Sequence, residues 1–192
     1  PTKAGAGGAL GDIGTHAENL ASFVTGLEID AVSAELTSFV PGRALDDDCM
    51  IRLRYAGGAK ASLNISQVAI GDENRITISV HGDAGSLWWS HENPNDLRVS
   101  TKDRGTYFIT RGQDALSDRA KAASRTPPGH PEGYLEAFAN IYRGVAELIR
   151  AQKRGTEIGP LGRDVPGPES GVRGMVFIER CVQSNEQNAA WV

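Results

Sequence analysis

The hydrophobic pattern at the start of the chain predicts one helix. Between residues 11 and 24, apolar side chains recur at steps of three and four residues, which places them on a single stripe of a helix. The stripe consists of Ile13, Ala17, Leu20 and Val24. Gly26 is well placed to end the helix. We therefore expect the stripe to face a core.

A second stripe of this helix carries candidate chemistry. Asp12, His16 and Asn19 are predicted to lie beside the apolar stripe, and a carboxylate and an imidazole four residues apart share one helix face, which suits acid/base chemistry. The more solvent-exposed face is expected to carry Thr15, Glu18 and Ser22. Spacing alone favours a structural role, in which Asp12 caps the helix start and His16 packs or forms hydrogen bonds.

The middle of the chain alternates apolar and polar residues, the two-residue period of β-strands. Strands are predicted at residues 29–40, 49–55, 59–66, 76–81, 86–90, 97–101 and 106–110. Gly57-Gly58 and Gly82 to Gly85 supply tight turns, so consecutive strands pair antiparallel. We expect an open-faced, predominantly antiparallel sheet of about six strands with one apolar face.

Helices should cover that apolar face, giving an α+β fold and a single domain over residues 1–192. One is the opening helix, and another spans residues 134–154 with an apolar stripe at Leu135, Phe138, Tyr142, Val145 and Ile149. The stretch 111–128 reads as a loop with one short helix, and a last helix is predicted over 169–184. The polar sheet face is expected to be solvated.

Composition excludes several classes of function. The 192 residues carry a net charge of −4 with scattered Lys and Arg, which argues against a nucleic-acid or anionic-membrane surface. No apolar run is long enough for a membrane span. Cys49 and Cys181 lie far apart in sequence and do not form a disulfide framework. These features fit a reducing cytoplasm.

The sequence does not predict a metal site. The helical H-E-x-x-H zinc pattern and C-x-x-C pairs are absent. The loop containing Asp46, Asp47 and Asp48 lacks the alternation of a calcium loop, so we expect it to be solvated. Arg43 in this loop can either reach substrate hydroxyls or form a surface ion pair with the three aspartates.

The segment Gly8-Ala-Leu-Gly-Asp-Ile-Gly-Thr-His16 resembles the motif G-G-A-L-x-D-x-G-x-H that opens the second domain of the Gfo/Idh/MocA oxidoreductases, which include glucose–fructose oxidoreductase and inositol dehydrogenase. The segment Gly129-His-Pro-Glu-Gly-Tyr134 and its following helix resemble a segment of the family's sugar- and polyol-acting members. With Phe39-Val-Pro-Gly-Arg43 and the strand-rich middle, the resemblance covers nearly the whole chain.

The resemblance implies the C-terminal, substrate-binding and oligomerisation domain of an NAD- or NADP-dependent oxidoreductase of sugars or polyols. It implies that His16 is the catalytic acid/base and that Asp12 assists, while Asn19, Arg43 and His130 are candidates for substrate binding. It also implies a Rossmann domain, with a catalytic lysine, outside this chain, and a homo-oligomer formed through the open sheet face. The family often has Asp two residues after the His, where this chain has Glu18.

Some features admit another interpretation. The helix and sheet can instead form a non-catalytic binding or oligomerisation module, and the prolines around His130 can serve the turn alone. The stretch from Gly5 to Leu10 is not a dinucleotide fingerprint, because its sixth position is Leu and no strand precedes it. We expect it to approach the helix flexibly and pack closely at the helix start.

Overall fold

The computed structural model describes residues 7–192, so Gly5 and Ala6 of the glycine-rich approach lie outside the described residues. The described part contains a π-helical turn, five α-helices and seven strands. Their bounds are Leu10–Gly14 (π), Thr15–Thr25 (α1), Ile29–Thr37 (β1), Asp48–Tyr55 (β2), Lys60–Ser66 (β3), Thr77–His81 (β4), Gly85–Ser90 (β5), Asp96–Thr101 (β6), Gly105–Thr110 (β7), Asp118–Ala123 (α2), Tyr134–Arg154 (α3), Pro160–Arg163 (α4) and Pro168–Glu186 (α5).

The α+β class and the antiparallel pairing are confirmed. The strands form two hydrogen-bonded sheets, β1-β2-β3 and β4-β5-β6-β7, where the sequence predicts one sheet of about six strands. The chain divides into two compact units, one reaching to Glu73 and resuming at Gly167–Val192, the other spanning Asn74–Pro166. A single domain over residues 1–192 stays a prediction.

In the first unit the three-stranded sheet is buried on one face. Cys49, Ile51, Leu53 and Tyr55 of β2 are buried, and the residues between them are exposed. Helix α5 packs against β1, and its Phe177 and Cys181 join the core. Val192 exchanges two backbone hydrogen bonds of 3.0 Å with Val32, so the end of the chain pairs with the free edge of β1.

In the second unit the four-stranded sheet accompanies α2, α3 and α4. Helix α3 packs against α4, and Gly144 permits the close approach because an added Cβ would lie 2.7 Å from the carbonyl oxygen of Leu161. The predicted apolar stripe of α3 does not cover a sheet. Its members are 38% to 75% exposed, with Leu135 at the upper end. The residues of α3 that are buried are small ones, Gly144 and Ala151.

Within the described residues, no helix is both long and apolar enough to cross a membrane. The two cysteines are buried and free. Burial raises the pKa of the Cys181 thiol to about 12, and it also raises the pKa of Cys49, where the nearby Asp46 carboxylate adds to the effect.

Candidate functional site

Asp12, His16 and Asn19 form an exposed edge on the opening helix, whereas Thr15 and Ser22, which the sequence places on the more exposed face, are only half-exposed. Asp12 lies in the π-helical turn, and His16 and Asn19 lie in α1. A π-helix closes its hydrogen bonds over five residues instead of four, so its residues advance by a smaller angle and Asp12 is brought closer to the angular position of His16. Single π turns often accompany functional sites.

The start of the π turn is held by Asp46, which lies in a loop distant in sequence. Asp46 accepts hydrogen bonds from the backbone N–H groups of Gly8 at 2.6 Å and Leu10 at 2.8 Å, and its carbonyl oxygen accepts one from Ala9 at 2.9 Å. These are the first N–H groups of a helix, which have no partner within the helix itself. Asp46 therefore fixes the start of the turn that carries Asp12.

Asp12 does not cap its own helix, so that interpretation of its position is wrong. No side chain at the N-cap position, Ala9, binds the helix start, and the Asp12 carboxylate instead accepts a hydrogen bond of 3.0 Å from Nε2 of Gln67. Gln67 follows β3 directly. The carboxylate is thus oriented from the sheet while it stays accessible to solvent.

The predicted solvent-exposed face of the helix is wrong at Glu18. Glu18 is 2% exposed, because α5 packs along this side of α1. Its Oε1 atom lies 2.7 Å from Nε of Arg173. Burial raises the pKa of Tyr55, and the charge of Glu18 raises it further. Glu18 is therefore a buried residue between α1 and α5 and does not belong to the exposed edge.

The aspartate loop is structural, so the expectation that it is solvated is wrong. Asp47 is fully buried and accepts hydrogen bonds from the N–H groups of Phe39 at 2.8 Å and Val40 at 3.0 Å. The Phe39 hydrogen bond is the main cause of the lowered pKa of Asp47. Arg43 forms an ion pair with Asp47 at 3.3 Å, and 45% of its side chain remains exposed.

His130 belongs to the second unit and is exposed. It ends a tight turn in which its N–H donates a 3.2 Å hydrogen bond to the carbonyl oxygen of Pro127. Gly129 before it has a φ of 83°, a left-handed conformation that favours glycine. The carbonyl oxygen of His130 accepts hydrogen bonds from Oγ1 of Thr126 at 2.9 Å and from Arg111.

Sequence patterns did not identify the roles of Asp46, Gln67 and Arg111. Gln67 contacts Asp12, Arg111 contacts the backbone of His130, and Asp46 binds the backbone at the start of the π turn. All three act through long-range hydrogen bonds, which leave no periodic signal. Among residues 7–192, no three His, Cys, Asp or Glu side chains form a group able to hold a metal ion.

The chemical capacity of the first unit is proton transfer at an exposed helix edge. A carboxylate and an imidazole there can accept and return the proton of a bound hydroxyl group. The seven described strands pair only antiparallel, and dinucleotides bind to a parallel strand-helix-strand unit. The described residues therefore do not fit a nicotinamide dinucleotide by themselves.

Comparison with known proteins shows which proteins the chain is similar to. Residues 1–88 match the family model of the GFO/IDH/MocA C-terminal domain. The chain is 30% identical to levoglucosan dehydrogenase of Pseudarthrobacter phenanthrenivorans, with 96% of the chain aligned to 51% of that protein.

Two solved structures resemble the fold closely. An oxidoreductase from Sinorhizobium meliloti gives a TM-score of 0.88 at 43% identity, covering 96% of the chain and 52% of that protein. An inositol dehydrogenase homologue from Azotobacter vinelandii, complexed with NADH and myo-inositol, gives 0.86 at 34% identity, covering 96% and 49%. The chain thus spans about half the length of these proteins.

Proposed function

Because the chain belongs to the Gfo/Idh/MocA family of oxidoreductases, we propose that it is the substrate-binding half of an NAD(P)-dependent enzyme. That enzyme transfers hydride between a secondary alcohol of a sugar or polyol and a nicotinamide. The observation that supports this proposal most directly is the exposed helix edge that holds Asp12 and His16. The relatives that bind myo-inositol or act on levoglucosan support this substrate class.

His16 is the acid/base in this proposal. Oxidation of a secondary alcohol requires removal of the hydroxyl proton, and a positioned base typically accelerates such a step by about a hundred- to ten-thousandfold. Asp12 accepts a hydrogen bond from a substrate hydroxyl and favours the imidazolium when it forms. Its hydrogen bond from Gln67 supports this role, since it orients the carboxylate. Asn19 adds an amide for a further hydroxyl group.

Arg43 and His130 are the proposed substrate-binding residues outside the helix. The ion pair of Arg43 uses Nη1, which leaves other guanidinium donors for substrate hydroxyls. His130 presents an exposed imidazole at a turn whose backbone is held by hydrogen bonds. Both assignments derive from the family resemblance, and their accessibility supports them.

A nicotinamide, when bound, supplies the hydride acceptor. Since the described residues lack a dinucleotide-binding unit, we propose that a Rossmann domain of the same protein holds NAD or NADP. The relatives support this, because about half of their length lies beyond the part this chain covers and several are complexed with NAD+ or NADH.

The test is a pH–rate profile of the full-length protein with a polyol such as myo-inositol. We expect His16→Ala to lower turnover at least about a hundredfold with little change in Tm, and to abolish one ionisation in the profile. The matched control is His81→Ala, an exposed histidine at the end of β4, which should leave turnover unchanged. Retained activity with a lowered Tm in His16→Ala would refute the catalytic role.

A second candidate function is a binding or oligomerisation module on the open face of the first sheet. The exposed face of β2 carries Met50, which is 60% exposed, next to Arg52 and Arg54. The ring of Trp191 lies 4.0 Å from the Arg54 guanidinium carbon. An aromatic ring, methionine and arginine are typical of protein interfaces. Homo-oligomerisation through this face would be compatible with catalysis.

A further inference from the structure

Arg111 has every guanidinium N–H group engaged. Arginine has five such donors, and here Nε and the two Nη atoms donate to five oxygen atoms. The acceptors are Asn95 Oδ1 at 3.0 Å, Thr126 O at 2.9 Å, Glu132 Oε1 at 3.0 Å, Thr126 Oγ1 at 2.8 Å and His130 O. All of these residues belong to the second unit. A guanidinium used to this extent has a fixed position.

Glu132 is the anionic partner of Arg111 and is 9% exposed. Besides Arg111, its Oε1 atom binds the backbone N–H groups of Arg125, at 2.5 Å, and of Thr126. Burial favours a higher pKa for Glu132, but these hydrogen bonds and the charge of Arg111 outweigh burial, so the net pKa is lowered. The carboxylate is therefore held in its charged form.

This network surrounds the backbone of His130 on both sides. Before it, Thr126 is bound through its backbone N–H, carbonyl and hydroxyl groups. After it, the Asn95 side chain binds the backbone N–H and carbonyl groups of Glu132 at 3.0 and 2.9 Å. The carbonyl oxygen of His130 itself is held by Arg111 and Thr126. The exposed imidazole of His130 takes no part in this network.

We propose that Arg111, supported by Glu132, is a positioning residue that sets the place from which His130 reaches the substrate. This inference rests on the proposed function, in which His130 contacts a sugar or polyol. Lysine cannot replace this arginine, because an ammonium is a compact charge with three donors and lacks the planar five-donor geometry. A displacement of about 1 Å at a substrate contact can cost a hundredfold in rate.

The test compares Arg111→Lys, His130→Ala and the double variant in the full-length enzyme. We expect Arg111→Lys to lower kcat/KM for the polyol at least about tenfold, mainly through KM. The double variant should fall no further than His130→Ala, since both changes remove the same interaction. Arg98→Lys, at an exposed site on β6, is the matched control. Additive losses would show a merely structural role and overturn the inference.

A second measurement separates this inference from the proposed function. In ¹³C-histidine-labelled enzyme without substrate, the imidazole resonance of His130 should shift or broaden in Arg111→Lys. The same change is expected in Thr126→Val, which removes a hydroxyl group of the network but keeps the ion pair between Arg111 and Glu132. Thr126→Val therefore provides the test if Arg111→Lys does not fold. An unchanged resonance overturns the positioning role even if His130→Ala impairs activity. If His130→Ala is fully active but the resonance shifts, substrate contact by His130 fails while its positioning by Arg111 stands.

Discussion

Glu18 of α1 and Arg173 of α5 form an ion pair at 2.7 Å, although 155 residues separate them in the chain. The Glu18 side chain is 1% exposed and that of Arg173 is 31% exposed. Among the described residues, Oε2 of Glu18 is the buried side-chain polar atom without a hydrogen-bond partner. The pair joins the helix that carries His16 to the helix that closes the core.

Arg173→Met should destabilise the protein, because it keeps much of the side-chain volume but leaves a buried carboxylate without its cation. We expect a loss of roughly 3 kcal/mol, the lower end for breaking a buried pair, since Arg173 is partly exposed. In a chain of this size that corresponds to a fall in Tm of about 6–12 °C, measured by calorimetry. Arg180→Met, at an exposed position of α5, is the control. Equal Tm values for both variants would contradict the role of the pair.

Gly8→Ala should disturb the exposed edge through its backbone anchor. An added Cβ would lie 2.1 Å from the carbonyl oxygen of Asp46, so the start of the π turn must move, at a cost of about 1–3 kcal/mol. We expect both Tm and turnover to fall. Gly11→Ala, within the π turn itself, is the matched control, because its Cβ would meet nothing within 4 Å. Similar behaviour of the two alanine variants would argue against this anchor.

Asp47 should make the stability of the first unit depend on acidity. Its pKa is lowered in the folded state, chiefly by the Phe39 hydrogen bond, so its charged form stabilises the fold above the unfolded value of about 3.9. This contribution is lost as the pH falls through the lower, folded-state pKa. The Tm difference between wild type and Asp47→Asn should therefore shrink below about pH 4.

The control for this experiment is Asp83→Asn, in the exposed turn between β4 and β5. Its Tm difference from wild type should stay small at every pH. A difference for Asp47→Asn that is constant from pH 7 to pH 3 would show that the charge of Asp47 contributes nothing to stability.

The sequence predicts the elements well where one side of the chain faces a core. Alternation along β2 identifies its buried residues correctly, because burial on one face imposes a two-residue period. Helical spacing also places Asp12, His16 and Asn19 on one edge of the opening helix, although it does not predict that this edge is the more exposed one. The antiparallel pairing follows from the short turns between consecutive strands.

Predictions fail where a partner distant in sequence decides the outcome. Helical spacing places Glu18 on a polar face, but the side chain is buried against its ion-pair partner Arg173, which is distant in sequence. The π turn is not predicted because counting apolar residues assumes one turn per 3.6 residues. The stripe of α3 is apolar but exposed, and the sequence pattern cannot distinguish a face that packs within the chain from one that does not.

The packing of α5, a late segment of the chain, against the first sheet has a consequence for synthesis of the protein on the ribosome. The apolar face of β1, β2 and β3 is covered in part by Phe177 and Cys181, which are translated more than 110 residues after β3 begins at Lys60. Nascent chains therefore expose this face while the whole second unit is made. Such a delay favours aggregation of incomplete chains, so we expect early truncations to depend on chaperones more than the complete protein does.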